Sequence, residues 1–197
     1  MEKIKYIIIF YLIISSHCLA GIKEMHNVPD NVHPIETTYE ILKIRADDGD
    51  AVAQFKLAIK FEEGINIDQN YEKAFKWYKL AAKAGITDAC FKVGYFYDQG
   101  IGGVTIDYNQ AIRWYSLAFE NGHKYASYNL GSIYYNGEGV EHNLVTSYMF
   151  YSISSYLGLK VANSEKEELL YNLSVDELKK AEELIDSCIR KDFTKCF

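Results

Sequence analysis

Five histidines, four cysteines and a few adjacent carboxylates are the groups in this chain with the chemistry for catalysis or metal binding, and their spacing decides what they can do. His17, His26, His33, His123 and His142 form no HExxH pair and no cysteine-histidine cluster at the intervals of a zinc site. His26 and His33 could share a metal ion, but two histidines in a polar, proline-bearing segment ordinarily do nothing. Glu62 with Glu63 and Asp47 with Asp48 are sequence neighbours, which on a helix diverge by about 100° and make no acid-base couple. The order of serine, cysteine, histidine and aspartate assembles no nucleophile with its base. The loops GINIDQN, GIGGVTIDYN and GEGVEHN put glycines ahead of helices, where phosphate can bind. None ends in the lysine-serine of a P-loop and none follows a strand, so their glycines are read as turning the chain. No catalytic residue, metal or cofactor is expected, and the chemistry left is binding.

What would position such a binding surface is written twice over. AFKWYKLAAKAG begins at Ala74, AIRWYSLAFENG at Ala111 and SYMFYSISSYLG at Ser147. Upstream of each lies a second block, AQFKLAIKFEEG from Ala53, ACFKVGYFYDQG from Ala89 and ASYNLGSIYYNG from Ala126. A period of this size marks a solenoid, in which each unit must stack on its neighbours to bury its apolar face. The unit is a helix pair. In its first helix Ala53, Leu57 and Phe61 recur every fourth residue, a face repeated by Ala89, Val93, Tyr97 and by Ala126, Leu130, Tyr134. Ala58, Gly94 and Gly131 are small enough to let the second helix approach. Asn70, Asp107 and Asn143 predict the N-caps of the second helices, and Gly85, Gly122 and Gly158 their ends. Trp77 and Trp114, at one position of the second helices, are expected to wedge between neighbouring units.

The pattern L/V-G/A-x-x-Y/F-x-x-G followed by N/D-Y-x-x-A-x-x-W-Y-x-x-A-x-x-x-G resembles the Sel-one-like repeat (SLR) family, relatives of the tetratricopeptide repeats. The likeness covers Asp50 to Gly158. In the third unit Ser147, Phe150 and Ser154 replace Ala111, Trp114 and Ala118, which predicts looser packing there. The resemblance implies an all-α fold, a right-handed superhelical solenoid of antiparallel helix pairs. With the segments on either side read from their own residues, the chain divides into a signal peptide (1–20), a linker (21–36), an N-terminal capping helix (37–49), repeats at 50–85, 86–122 and 123–158, and C-terminal capping helices (159–197). Ser174 with Glu177 reads as a capping box opening the last helix, whose Leu178, Ala181 and Ile185 share a face.

First helices of such solenoids line the concave surface, so the positions that the repeats leave free are the expected binding stripe: Ile59, Glu62, Tyr95, Asp98, Ser132 and Tyr135, with Lys56, Lys92 and Asn129 at its edge. Phe55, Phe91 and Tyr128 stay aromatic, which predicts packing between successive first helices. The resemblance also implies a role as adaptor, scaffold or regulator, with another protein or peptide in the concave groove. Some relatives act as periplasmic immunity proteins against toxins. A cell-wall hydrolase is proposed only for relatives with a cysteine pair in each repeat, which this chain lacks.

The remaining expectations concern compartment. Lys3 and Lys5 precede an apolar run from Tyr6 to Ile14, and Cys18-Leu19-Ala20 offers a cleavage triplet. The run is shorter than the roughly 20 residues of a spanning helix, so no stable membrane insertion is expected once the signal is removed. Cleavage takes the formal charge from −6 to −7, two lysines lost against one glutamate. That balance argues against nucleic acid and anionic membrane as partners. A periplasmic or secreted monomer is expected, with Cys188 and Cys196 joined in a disulfide and Cys90 left as a small buried residue. The 197 residues, 49% hydrophobic with two prolines, are ample for one folded core.

Overall fold

A computed structural model of the chain describes residues 34–194 and 196. The expected signal peptide, the linker before Pro34, and His17, His26 and His33 lie outside the described residues. The repeats lie within one compact unit, Ile41–Phe197.

Nine helices and no strand occur among the described residues: α1 (Pro34–Asp47), α2 (Ala51–Glu63), α3 (Tyr71–Lys83), α4 (Thr87–Gln99), α5 (Tyr108–Phe119), α6 (Lys124–Asn136), α7 (Leu144–Tyr156), α8 (Ala162–Leu170) and α9 (Val175–Arg190). Helix α1 begins at Pro34, three residues ahead of the expected start at 37, because a proline suits a first helical position that needs no N–H partner. Each repeat is a helix pair, α2 on α3, α4 on α5 and α6 on α7, and each second helix packs on the next first helix. The predicted N-caps account for the starts of the second helices. Asn70, Asp107 and Asn143 accept the N–H of Lys73, Gln110 and Thr146 at 2.8, 3.0 and 2.9 Å. Gly64, Gly100 and Gly137 close the first helices in the left-handed region, each returning its N–H to the helix. Among the described residues no helix is long and apolar enough to cross a membrane.

One expectation about packing is corrected. The rings that fill the repeats are Tyr78, Tyr115 and Tyr151, all buried, while Trp77 and Trp114 are only half-buried. The cause is the groove over the small residues of the first helix. A Cβ added to Gly94 would sit 2.6 Å from the ring of Tyr115, and one added to Gly131 would sit 2.9 Å from Tyr151. The tyrosine enters that groove, and the preceding indole, about 100° around the helix, is carried to its margin. Of the aromatic positions Phe55, Phe91 and Tyr128, Phe91 reaches the next first helix as expected, stacked on His123 at 4.4 Å and tilted to Tyr125 at 6.2 Å, and all three also pack within their own repeats. Each meets the buried tyrosine of its own repeat, with centroids 5.6, 5.7 and 5.2 Å apart for Phe55–Tyr78, Phe91–Tyr115 and Tyr128–Tyr151.

The third repeat is not looser. Ser147 and Ser154 are fully buried and donate to the carbonyls of Gly131 and Lys124 at 2.8 and 2.9 Å, while Ser127 donates back to Phe150 at 2.7 Å. Hydroxyls that would be costly if unpaired thus tie α6 to α7. Phe150, at the tryptophan position, is fully buried, stacked on Tyr134 and edge-on to Phe119.

Helices α8 and α9 both pack on α7, closing the end where a fourth repeat would stack. Tyr148, Tyr151, Ala162, Leu169 and Ala181 form this closing core, with Leu178 and Ile185 packed against it. Ser174 and Glu177 make the reciprocal capping box of α9. Beyond α9 the chain turns back: Cys188 and Cys196 are joined by a disulfide, with Cα atoms 4.7 Å apart, and Phe193 packs edge-on against Phe119 at 5.9 Å. Cys90 is buried and free, its Sγ 3.7 Å from the carbonyl of Ala82, and burial pushes its thiol pKa up.

Candidate functional site

The face of the first helices is built on a repeated pair, a carboxylate near the end of the first helix and the buried tyrosine of the second. Glu62 accepts the hydroxyl of Tyr78, and Asp98 accepts that of Tyr115 at 3.1 Å. In the third repeat the carboxylate position is Tyr135, and Ser132 is the polar side chain beside the hydroxyl of Tyr151. Burial pushes the phenols of Tyr78, Tyr115 and Tyr151 well above the ordinary tyrosine range, so all three remain donors. At the boundary of the first two repeats, Lys92 of α4 donates to Glu62 at 2.8 Å and lies over the Tyr78 ring at 5.8 Å.

Between α4 and α6 the face opens into a cleft of about 210 Å³. Tyr95 and Asp98 line it from α4, Tyr128, Asn129 and Ser132 from α6, and Glu138 from the following turn. A smaller cavity of about 40 Å³ lies between α6 and α8, lined by Tyr135, Tyr151, Glu165, Glu168 and Leu169. Tyr128 joins the two: it lines the cleft, and its hydroxyl donates to Glu165 at 2.7 Å. Burial first, and then that carboxylate, push Tyr128 up to about 12. The second oxygen of Glu165 is buried without a protein partner.

Of the six residues singled out from the repeats, Tyr95, Asp98 and Ser132 therefore share one cleft, and Tyr135 faces the smaller cavity. Glu62 is held by Tyr78 and Lys92, and Ile59 lines neither space. Tyr95 and Tyr135 are 37% and 38% exposed. Sequence reasoning missed Tyr128, assigned to helix packing, and Glu138, which lies in a loop read only as turning the chain. The signal for Glu138 is its place directly after Gly137, whose left-handed backbone turns the chain back beside α6. Glu138 first, then burial, and then Asp98 raise the pKa of the neighbouring Tyr108.

His123 is the N-cap of α6. Its Nδ1 accepts the N–H of Ala126 at 3.1 Å, its Nε2 lies 3.4 Å from Asp88, and its ring stacks on Phe91 at 4.4 Å. Burial pushes its pKa down against the opposing pull of Asp88. Among the described residues no three histidine, cysteine, aspartate or glutamate side chains converge as a metal site. A larger groove of about 360 Å³ lies between α3 and the turn at Gly102 and Gly103, where a Cβ on Gly102 would come within 2.9 Å of the Tyr71 carbonyl.

The Sel1 repeat family matches residues 51–86, 87–123 and 124–159. A sel1-like repeat-containing protein of Acanthamoeba polyphaga mimivirus is 29% identical over 93 residues, 47% of this chain, and the chain spans only 17% of the viral protein's length. A solved Sel1 repeat protein from Oxalobacter formigenes superposes with a TM-score of 0.59 at 32% identity, covering 66% of this chain and 96% of that one. A protective antigen of uropathogenic Escherichia coli with an SLR fold superposes at 0.60 and 24% identity, over 86% of this chain and 44% of that one, a likeness of fold.

Proposed function

Because this chain belongs to the Sel1 repeat family, whose members are protein-interaction modules, we propose that it is a non-catalytic adaptor or regulator holding a partner protein or peptide along the face of α2, α4 and α6. The observation that carries this reading is the cleft between α4 and α6. Three positions that the repeats leave free, Tyr95, Asp98 and Ser132, line it together, and Tyr95 and Tyr135 are exposed on the same face. Exposed tyrosines are enriched among interface anchors, and truncating one costs about 2 kcal/mol or more where it is a hot spot. A segment lying along this face would meet Tyr95, the cleft and Tyr135 in turn.

We also infer export, with cleavage after Ala20. Lys3, Lys5 and the apolar run behind them support it. So does the Cys188–Cys196 bridge, a bond favoured in oxidising compartments. The partner would then be a protein of the envelope or the secreted space.

The deciding experiment is an affinity pull-down of the mature chain from its own envelope extract, repeated with Tyr95→Ala combined with Tyr135→Ala. Loss of the captured partner with an unchanged melting temperature is the expected result. An intact fold with undiminished capture would remove this face as the site and turn attention to the groove between α3 and Gly102.

A further inference from the structure

Within that reading, we propose that the cleft between α4 and α6 takes up a cationic side chain, a lysine or arginine of an extended basic segment in the partner.

The chain shows how such a site is filled, one repeat earlier. Glu62 and Asp98 are the same position of successive first helices, and so are Lys92 and Asn129. At the first boundary the protein supplies its own cation: Lys92 bonds Glu62 at 2.8 Å and covers the ring of Tyr78. At the second boundary Asn129 stands where that lysine would be, and Asp98 keeps its tyrosine partner without a cation. Among the described residues no ion pair reaches Asp98. Asp98 accepts one bond from Tyr115, and a carboxylate has about four acceptor sites, so it retains capacity for a donor from outside.

The surroundings fit the same occupant. Glu138 adds a second carboxylate, and no lysine or arginine lines the cleft. The walls include the rings of Tyr95 and Tyr128, and a cation over an aromatic face is attracted by its quadrupole. Tyr128 is pinned through its hydroxyl to Glu165, so its ring is set before any ligand arrives. The cleft, about 210 Å³ and open to solvent, is far larger than the ~30 Å³ share of one water. One long side chain suits that volume.

The test is selection of a random phage-displayed peptide library on the immobilised chain. The best peptide is then synthesised with its basic residue intact or replaced by norleucine or citrulline. Binding is measured to the wild type, to Tyr95→Ala with Tyr135→Ala, to Asn129→Lys and to Asp98→Asn. Asn129→Lys should refill the cleft from within, as Lys92 does at the other boundary, and Asp98→Asn removes the charge while keeping an acceptor for Tyr115. The expected result is a selected peptide carrying lysine or arginine, with at least about tenfold weaker binding on its neutral replacement. Each cleft variant should give a similar loss while remaining folded, with Asn129→Lys holding the wild-type melting temperature and Asp98→Asn lowering it only slightly as its bond from Tyr115 becomes neutral. Peptides that need the tyrosine pair yet carry no essential cation, or that ignore both Asn129→Lys and Asp98→Asn, would overturn the inference and leave the binding face standing. Peptides indifferent to the tyrosine pair, or no enrichment at all, would overturn both.

Discussion

Replacing Tyr115 by alanine removes the ring that fills the groove over Gly94 and the hydroxyl that donates to Asp98 at 3.1 Å. The side chain is fully buried, and it also supports Phe91, whose ring lies 5.7 Å away. Truncating a buried aromatic costs about 3 to 5 kcal/mol, the transfer of the ring plus the cavity left behind. At ~2 to 4 °C per kcal/mol for a chain of this size, a loss of ~4 kcal/mol lowers the melting temperature by roughly 8 to 16 °C. Tyr115→Phe keeps the ring and loses the bond to a carboxylate, which costs about 1.5 to 3 kcal/mol. Trp114→Ala removes a larger side chain that is partly exposed, which puts its cost at the low end of the range for aromatic truncation, about 3 kcal/mol. The order Tyr115→Ala, then Tyr115→Phe and Trp114→Ala together, is read from urea unfolding followed by far-ultraviolet circular dichroism. A slope that falls in Tyr115→Ala would show the repeats uncoupling. The reasoning fails if Trp114→Ala costs more than Tyr115→Ala, or if Tyr115→Ala costs less than about 1 kcal/mol.

His123 should give the protein an acid-side weakness. Its folded pKa lies below the ordinary 6.5 because burial disfavours the charged ring, so the unfolded chain takes up the proton first. Its contribution is complete above that value and is lost as pH falls through the depressed folded pKa; His123→Asn, still able to cap α6, should flatten this part of the profile of urea midpoints against pH, and an unaltered slope would clear His123. For export, the intact mass of the exported protein should begin at Gly21, and a mass retaining Lys3 to Ala20 would defeat the expectation.

Boundaries were the legible part of this fold, since caps are local chemistry. Asn70, Asp107 and Asn143 accept N–H groups three residues on, within reach of sequence reasoning, and Gly64, Gly100 and Gly137 mark left-handed backbone at one spacing. What a helical wheel cannot supply is the partner across the groove. The pair Trp-Tyr gives two large rings side by side, and only the depth of the space over Gly94 and Gly131 decides that tyrosine enters it. The serines of α7 resemble a weakened core until their acceptors on α6 are known. The same limit applies to the site. Tyr95, Asp98 and Ser132 were found by asking which positions vary, but that question could not separate Glu62, bonded to Lys92, from Asp98. That distinction depends on a residue 30 positions away in one case and on its replacement by Asn129 in the other.

The closing of the stack at its C-terminal end also sets an order in time. The chain emerges N-terminus first, so α1 to α5 precede α7, and each arriving repeat helix finds the preceding one ready to receive it. Helix α7 is different, because the covers for Tyr148 and Tyr151, including Leu169 and Ala181, are made after it. Until α8 and α9 emerge, the newest part of the core is also the wettest, and a nascent chain paused there presents the apolar surface that chaperones recognise. The covalent latch comes last of all, since no bridge to Cys188 can form before Cys196 has been synthesised.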